Sequence, residues 1–282
     1  MLTASELKSL LRTHGLRLSK RLGQHHLVDP RIVERLVDSF GVSLQDTVVE
    51  IGAGLGALTE PLAERADRVI AVEVDQKICA LLRERIAQCS NVTVMCEDIL
   101  AFSWKAHEGS IVVGAIPYRI TSPILTMLSG HRQAIRKAWL VMQKEVASRL
   151  VAAPGTKAYG RLSILGQYCW ELSTVMTIPR RAFFPQPEVD STCLCLVPRS
   201  QPPIAVDDEQ LFFEIVKAAF AHRRKTLVNC LSREGQRTSL SRAQAQAMLE
   251  QLRLPAAARG ETLTLAQFAA LANSVGRLKS LR

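Results

Sequence analysis

Two apolar runs that each end on chemistry stand out in the chain. The first is Val48-Val49-Glu50-Ile51-Gly52-Ala53-Gly54-Leu55-Gly56, and the second is Val69-Ile70-Ala71-Val72-Glu73-Val74-Asp75. A buried strand running into glycines lets backbone approach a ligand closely. An acid closing the next strand, about twenty residues on, accepts hydrogen bonds from ribose hydroxyls. The glycine spacing narrows the ligand. A dinucleotide fingerprint has a glycine three places after its second one, and Ala57 stands there. Gly56 makes the pattern G-x-G-x-G instead. This suits a nucleoside with no pyrophosphate, such as S-adenosylmethionine.

Further groups fall at the ends of later strands. Val94-Met95-Cys96-Glu97-Asp98 puts Asp98 at the carboxyl edge of a third strand. There it either accepts from an adenine amino group or serves as a turn former and helix cap. Ile111-Val112-Val113-Gly114-Ala115-Ile116-Pro117-Tyr118 ends a fourth strand. Pro117 cannot continue a ladder, and Tyr118 is either a stacking face for a flat base or a tyrosine packed at a domain seam. The loop Arg180-Arg181-Ala182-Phe183-Phe184-Pro185-Gln186-Pro187 carries two arginines for phosphates and two aromatics for stacking, or is a proline-stiffened hairpin loop. Phe220-Ala221-His222-Arg223-Arg224-Lys225-Thr226-Leu227 is the densest basic cluster and reads as a phosphate-contacting helix start.

The elements that must position these groups follow from periodicity. Strands are expected at 47–52, 68–74, 92–96, 110–115, 137–143, 172–178 and 191–197. Helices are expected at 30–41, 57–66, 76–88, 122–130, 144–152 and 160–169. This βαβ rhythm implies a mostly parallel sheet with helices on both faces, and the last two strands form a hairpin at its edge. Pro198-Arg199-Ser200-Gln201-Pro202-Pro203 reads as a linker. Beyond it only helical periodicity remains, at 209–221, 222–232, 239–252 and 264–275. The expected organisation is a basic arm and helix at 1–22, an α/β domain at 23–198, a linker at 199–206 and a small all-helical domain at 207–282.

Charge points to the partner. The chain of 282 residues has a formal net charge of +10. Residues 199–282 hold 13 Lys/Arg against 7 Asp/Glu, and the first 23 residues are also basic. Such an excess at both ends of a nucleoside-binding domain favours nucleic acid. No apolar run reaches the roughly 18 residues of a membrane span, and the N-terminus has no apolar secretory core. A cytoplasmic protein that binds no membrane is expected. Seven cysteines without C-x-x-C spacing argue against zinc and disulfides. Cys193 and Cys195 alternate within one strand and should share its core face.

Taken in order, these segments resemble the KsgA-type small-subunit rRNA adenine N6-dimethyltransferases, a family that also takes in mitochondrial transcription-factor-B-like and Erm methyltransferases. The resemblance runs from about Lys20 to Val275. It rests on Gly23-Gln24-His25-His26-Leu27, Glu50 to Gly54, Val72 to Asp75, Glu97-Asp98, Ile116-Pro117-Tyr118, Gln143 to Val146, Lys157 to Ser163, Phe183 to Ser191, and Phe220 to Leu227. Tyr159-Gly160-Arg161-Leu162-Ser163 and the Arg223-Arg224-Lys225 cluster favour the KsgA branch.

The resemblance implies a Rossmann-like S-adenosylmethionine-dependent methyltransferase domain followed by a small helical RNA-binding domain. It places the cofactor on His25, Leu27, Gly52, Gly54, Glu73, Asp98 and Ala115. Catalysis falls on Ala115, Ile116, Pro117, Tyr118 and Phe183, with Tyr118 and Phe183 clamping the base. Arg180, Arg181, Arg223, Arg224 and Lys225 fall to RNA. It implies no metal. The implied substrate is a pair of adjacent adenosines in the 3′-terminal hairpin of small-subunit rRNA, within an immature 30S-type particle, dimethylated by a monomer. Two positions depart from the family: His26 stands where Phe is usual, and Ala115 where Asn or Asp supplies an acceptor for the target amine. Two functions therefore fit: a dimethyltransferase with reduced activity, and an assembly or checkpoint factor that grips immature subunits.

Overall fold

A computed structural model of the chain describes residues 2–16, 18, 24–117, 120–232 and 240–280. It divides into two compact units. The first comprises Met1–Ala147 and Glu171–Pro198, and the second Ser148–Trp170 and Arg199–Arg282. The first unit is therefore interrupted, where the sequence suggests one uninterrupted span at 23–198. Residues 148–170 fold with the second unit.

The first unit is built on β2 (Thr47–Ile51), β3 (Arg68–Glu73), β4 (Val92–Cys96), β5 (Ser110–Ala115), β6 (Ile135–Gln143), β7 (Trp170–Ile178) and β9 (Ser191–Pro198). Their order is β4-β3-β2-β5-β6-β9-β7. The pairs from β4 to β6 are parallel, and β9 runs antiparallel to β6. The expected edge pair is present, with β9 between β6 and β7. β2 lies between β3 and β5, so the order reverses at its carboxyl end, where open α/β sheets form their binding crevice.

β2, β3 and β5 are runs of Val, Ile and Ala buried on both faces, as a covered parallel sheet requires. One face packs on α2 (Pro30–Phe40), whose Val33, Leu36, Val37 and Phe40 recur at helical spacing. Asp29 caps that helix, Pro30 opens it, and Gly41 closes it in the left-handed region. Cys193 and Cys195 join this same core, as their alternation implies. α4 (Gln76–Arg85) sets Leu82 and Ile86 against Ala71 of β3, and α1 (Ala4–Thr13) packs on α4 and the glycine turn. Leu7 and Leu11 of α1 pack with Leu55, Ile78 and Leu81, so α1 is a docked part of this unit and not a free arm.

A pairing between distant segments is absent from the periodicity. β1 (His26–Leu27) runs antiparallel to β8 (Phe183–Phe184), with His26 opposite Phe184 and Leu27 opposite Phe183. α3 (Thr59–Ala63) is shorter than its apolar pattern suggests. α5 (Thr121–Gly130) and α6 (Lys144–Leu150) follow their patterns closely.

The second unit contains α7 (Arg161–Cys169), α8 (Glu209–Phe220), α9 (Leu227–Leu231), α10 (Arg242–Gln251) and α11 (Leu265–Ser280). Its core holds Phe212, Phe268 and the buried Tyr159, whose hydroxyl donates to the Leu263 carbonyl at 2.8 Å. Ser163 of the Tyr159–Ser163 segment donates to the Arg149 carbonyl at 2.5 Å. The Tyr159 bond, with Gly155 N–H on the Glu261 carbonyl, ties 148–170 to the helices of this unit, while the Ser163 bond braces the segment internally. No helix among the described residues is long and apolar enough to cross a membrane.

Candidate functional site

The carboxyl ends of β2, β3, β4 and β5 open onto a cavity of about 200 Å³. Its lining includes His25, His26, Leu27, Glu50, Gly52, Gly54, Glu73, Glu97, Asp98, Ala115 and Pro117. Every residue that the resemblance assigns to the cofactor is in that lining.

The floor is the glycine turn. Gly52, Gly54 and Gly56 all have positive φ, at 70°, 55° and 87°. The N–H groups of Gly52 and Ala53 both donate to the Val72 carbonyl, which ties the turn to β3. Glu73 completes the tie: one oxygen accepts from Gly54 N–H at 3.0 Å, and the other accepts from Val74 and Asp75 N–H, each at 3.0 Å. Glu73 is buried, and burial raises its carboxyl above the ordinary glutamate range. The three backbone donors pull in the opposite direction. Asp75 has a different task, capping α4 through Lys77 and Ile78 N–H.

One wall comes from β5. Gly114 sits where a Cβ would stand 2.7 Å from the Ile51 carbonyl, so only glycine lets β5 approach β2 there. This brings Ala115 and Pro117 beside the turn, each with an atom 3.8 Å from a Cβ built at Gly52. Ala115 presents a methyl group and no side-chain oxygen. Ile116 is buried and is not part of the lining, and its N–H donates to the Val141 carbonyl. Tyr118 lies outside the described residues.

The opposite wall is the β1 segment. His25 Nδ1–H donates to the Pro185 carbonyl at 2.7 Å, and Gln24 donates to Asp75 Oδ2 at 3.1 Å. The β1–β8 ladder thus joins the two ends of the first unit at this wall. It also corrects one expectation. Phe183 is only 4 % exposed and packs in the sheet core with Leu27 and Ala182, so in this arrangement its ring offers no open face for clamping a base. Phe184 is less buried, with the Lys8 ammonium 5.0 Å from its ring centre.

Asp98 lines the cavity, and it is also the turn former and cap of its second reading, with Oδ1 accepting from Leu100 N–H at 3.0 Å. Three further groups escape a reading of motifs. Glu50 is 2 % exposed and accepts from the Thr59 hydroxyl at 2.6 Å. Burial, with a smaller contribution from the Glu73 charge, pushes its carboxyl up to about 8. Glu97 Oε1 and His26 Nε2 are enclosed polar atoms with no hydrogen-bond partner among the described residues. Burial, and secondarily His25, lowers the His26 imidazole to about 4. An acid at a strand end and a second histidine beside the first were the only signals in the sequence.

A concave lining with a buried carboxylate at one strand end, a second acid at the next, and enclosed polar atoms left unpaired fits a nucleoside that carries further polar groups. Among the described residues no cluster of His, Cys, Asp or Glu is arranged to hold a metal ion.

The basic residues are less uniform than the sequence suggests. Arg180 and Arg181 are exposed on a single 3-10 turn. Arg223, Arg224 and Lys225 precede α9 in a turn and do not begin a helix. Arg223 donates to Glu261 at 2.8 Å and to the Lys157 carbonyl, so it braces the second unit. Arg224 and Lys225 are exposed.

Comparison with known proteins agrees with this geometry. The family model described as ribosomal RNA adenine dimethylase matches residues 15–274. The chain is 42% identical over 281 residues to the ribosomal RNA small subunit methyltransferase A of Bacillus mycoides, covering 97% of this chain and 96% of that one. Among solved structures it is similar to a dimethyladenosine transferase from Plasmodium falciparum, with a TM-score of 0.73, 24% identity, and 89% and 98% of the two chains covered. It is also similar to the 23S rRNA methyltransferase ErmE, with a TM-score of 0.63, 28% identity, and 89% and 99% covered.

The buried Glu50 has a consequence for stability. Between its ordinary value of 4.5 and about 8 the unfolded chain releases a proton that the folded protein keeps. The contribution of this group to stability therefore falls as pH rises across that window and is fully lost above it. Glu50→Gln keeps an acceptor for Thr59 and removes the slope. Its melting temperature, measured relative to the parent, is expected to rise steadily from about pH 5 to about pH 8. A constant difference across that range would show that Glu50 does not titrate there.

Proposed function

The chain belongs to the ribosomal RNA adenine dimethylase family, and from that premise we propose that it transfers methyl groups from S-adenosylmethionine to N6 of adenosine in rRNA. The substrate class proposed is the pair of adjacent adenosines in the 3′-terminal hairpin of small-subunit rRNA, met by a monomer on an immature 30S-type particle in the cytoplasm. The observation that carries the reading is the convergence of the glycine turn, Glu73, Asp98, Ala115 and Pro117 in one cleft at the sheet's switch point.

Bound S-adenosylmethionine supplies an electrophilic methyl on its sulfonium. The chain's own residues hold and orient. Glu73 keeps a buried carboxylate at the end of β3 for ribose hydroxyls, and Asp98 keeps an exposed one just past β4 for the adenine amino group. Leu27 and His25 close the cleft from the β1 side. The target is an exocyclic amine conjugated to its ring, so it is a weak nucleophile. Acceptors for its N–H groups must draw out the lone pair, and the nitrogen must be aligned with the methyl. To reach the cleft the base leaves its stack, and the stacking role falls to Tyr118 by the family resemblance. Ala115 has no side-chain acceptor, which leaves a backbone carbonyl such as that of Ile116. Losing one aligned hydrogen-bonding group typically costs roughly 10²–10³-fold in rate.

That same alanine supports a second reading, a factor that binds immature small subunits and methylates them weakly. Neither reading changes the basic surface. Arg180, Arg181, Arg224 and Lys225 are exposed cations suited to phosphates.

Two outcomes are expected. Mass spectrometry of undermethylated small subunits incubated with S-adenosylmethionine should find dimethyladenosine, formed slowly by this chain and about 10²-fold faster by Ala115→Asn. Equal rates would remove the weight placed on Ala115. Binding of both proteins with methylation by neither would favour the assembly factor. Separately, neutralising Arg224 and Lys225 together should weaken RNA binding and lower its slope against log salt by about 0.7–0.9 for each phosphate left unneutralised. An unchanged slope would reassign the pair to a solvated face.

A further inference from the structure

His26, like Glu97, is a residue of the cleft with a polar atom that no described residue uses. It lies on β1, opposite Phe184, and is half-buried as a residue. Its Nε2 is nonetheless enclosed, and no described residue gives it a hydrogen-bond partner. Leaving a buried polar atom unpaired costs free energy, so such an atom in a native fold calls for an explanation. The ring is held tightly in place: a Cβ at Gly54 would stand 2.7 Å from both Cε1 and Nδ1 of His26. The glycine at 54 is thus what lets the imidazole lie against the turn. An apolar ring would fill the same space, so packing alone does not ask for the nitrogen.

The rest of the cleft narrows what the nitrogen serves. Glu73 and Asp98 stand at the ends of β3 and β4 and account for the ribose and the adenine. Ala115 and Pro117 stand at the end of β5, on the other side of the turn. The polar part of the ligand left without a partner is its amino-acid tail. We propose that His26 Nε2 hydrogen-bonds the amino-acid tail of S-adenosylmethionine and so sets the preference of this cleft for the whole cofactor over its nucleoside part. This rests on the reading above that the cleft holds that cofactor. Burial and His25 keep the imidazole neutral, which suits a ligand carrying positive charge on its sulfur and its amine.

The test compares two stable probes by calorimetric titration. S-Adenosylhomocysteine carries the tail and 5′-methylthioadenosine lacks it. In His26→Phe, S-adenosylhomocysteine is expected to bind about tenfold more weakly, as for one lost hydrogen bond, while 5′-methylthioadenosine binds as in the wild type. His26→Gln, which restores a polar atom without the ring, should recover part of the loss. The ligand-free melting temperature of His26→Phe should stay at or above that of the wild type, since an unpaired buried polar atom is gone. If both probes weaken equally in the variant, or neither does, the assignment of His26 to the tail is overturned and the cofactor reading stands. If the wild type binds neither probe, the cofactor reading falls and this inference with it.

Discussion

The structure depends on one carboxylate holding one turn. Glu73 ends β3 and spends its two oxygens on the N–H groups of Gly54, Val74 and Asp75. Those bonds join the loops after β2 and β3, neighbouring strands on one side of the switch point. Without an acceptor there, three N–H donors would lose their partner, and for the buried Gly54 N–H that costs roughly 1–3 kcal/mol. Glycine at 52, 54 and 56 supplies the positive φ angles of the turn that presents the first of those donors. The same oxygens can still take further donors, which is why a structural tie can also be a ligand site.

Around this tie the cleft is made at some expense to the fold. Glu50 is buried and titrates far above its ordinary range. Glu97 and His26 each have an enclosed atom with no hydrogen-bond partner among the described residues. A fold under no other constraint would replace such groups by apolar ones, and their gathering in one concavity is the usual mark of a functional site. The β1–β8 ladder holds the far wall with only two residue pairs. It draws support from Gln24 on Asp75, from His25 on Pro185, and from α1, whose Leu7 and Leu11 pack with Leu55 of the glycine turn.

Most of the sheet was legible in the sequence because its strands are continuous apolar runs ended by glycine, acid or proline. The order of motifs was legible for the same reason, and so was part of the cleft lining, since Glu73, Asp98 and Ala115 each stand at a strand end. What was not legible depends on long-range contacts. Two residues at 26–27 carry no periodicity that announces a strand, and their partner is far away in sequence. Phe183 reads as an exposed stacking face from its basic, proline-rich loop, yet the ladder turns it into the core. Residues 148–170 follow the αβ rhythm of the first unit, but the hydrogen bonds of Tyr159 to Leu263 and of Gly155 to Glu261 tie them into the second. The Arg223 cluster looked like a helix start, and Glu261 holds its first arginine in a turn.

The most direct measurement of the account is the affinity of S-adenosylhomocysteine for the wild type and for Glu73→Gln, by calorimetric titration. The account predicts binding to the wild type and a loss of at least about tenfold in the variant, because an amide in place of the carboxylate weakens both the tie to the glycine turn and the acceptance of ribose hydroxyls. Equal affinity for the two proteins would contradict it.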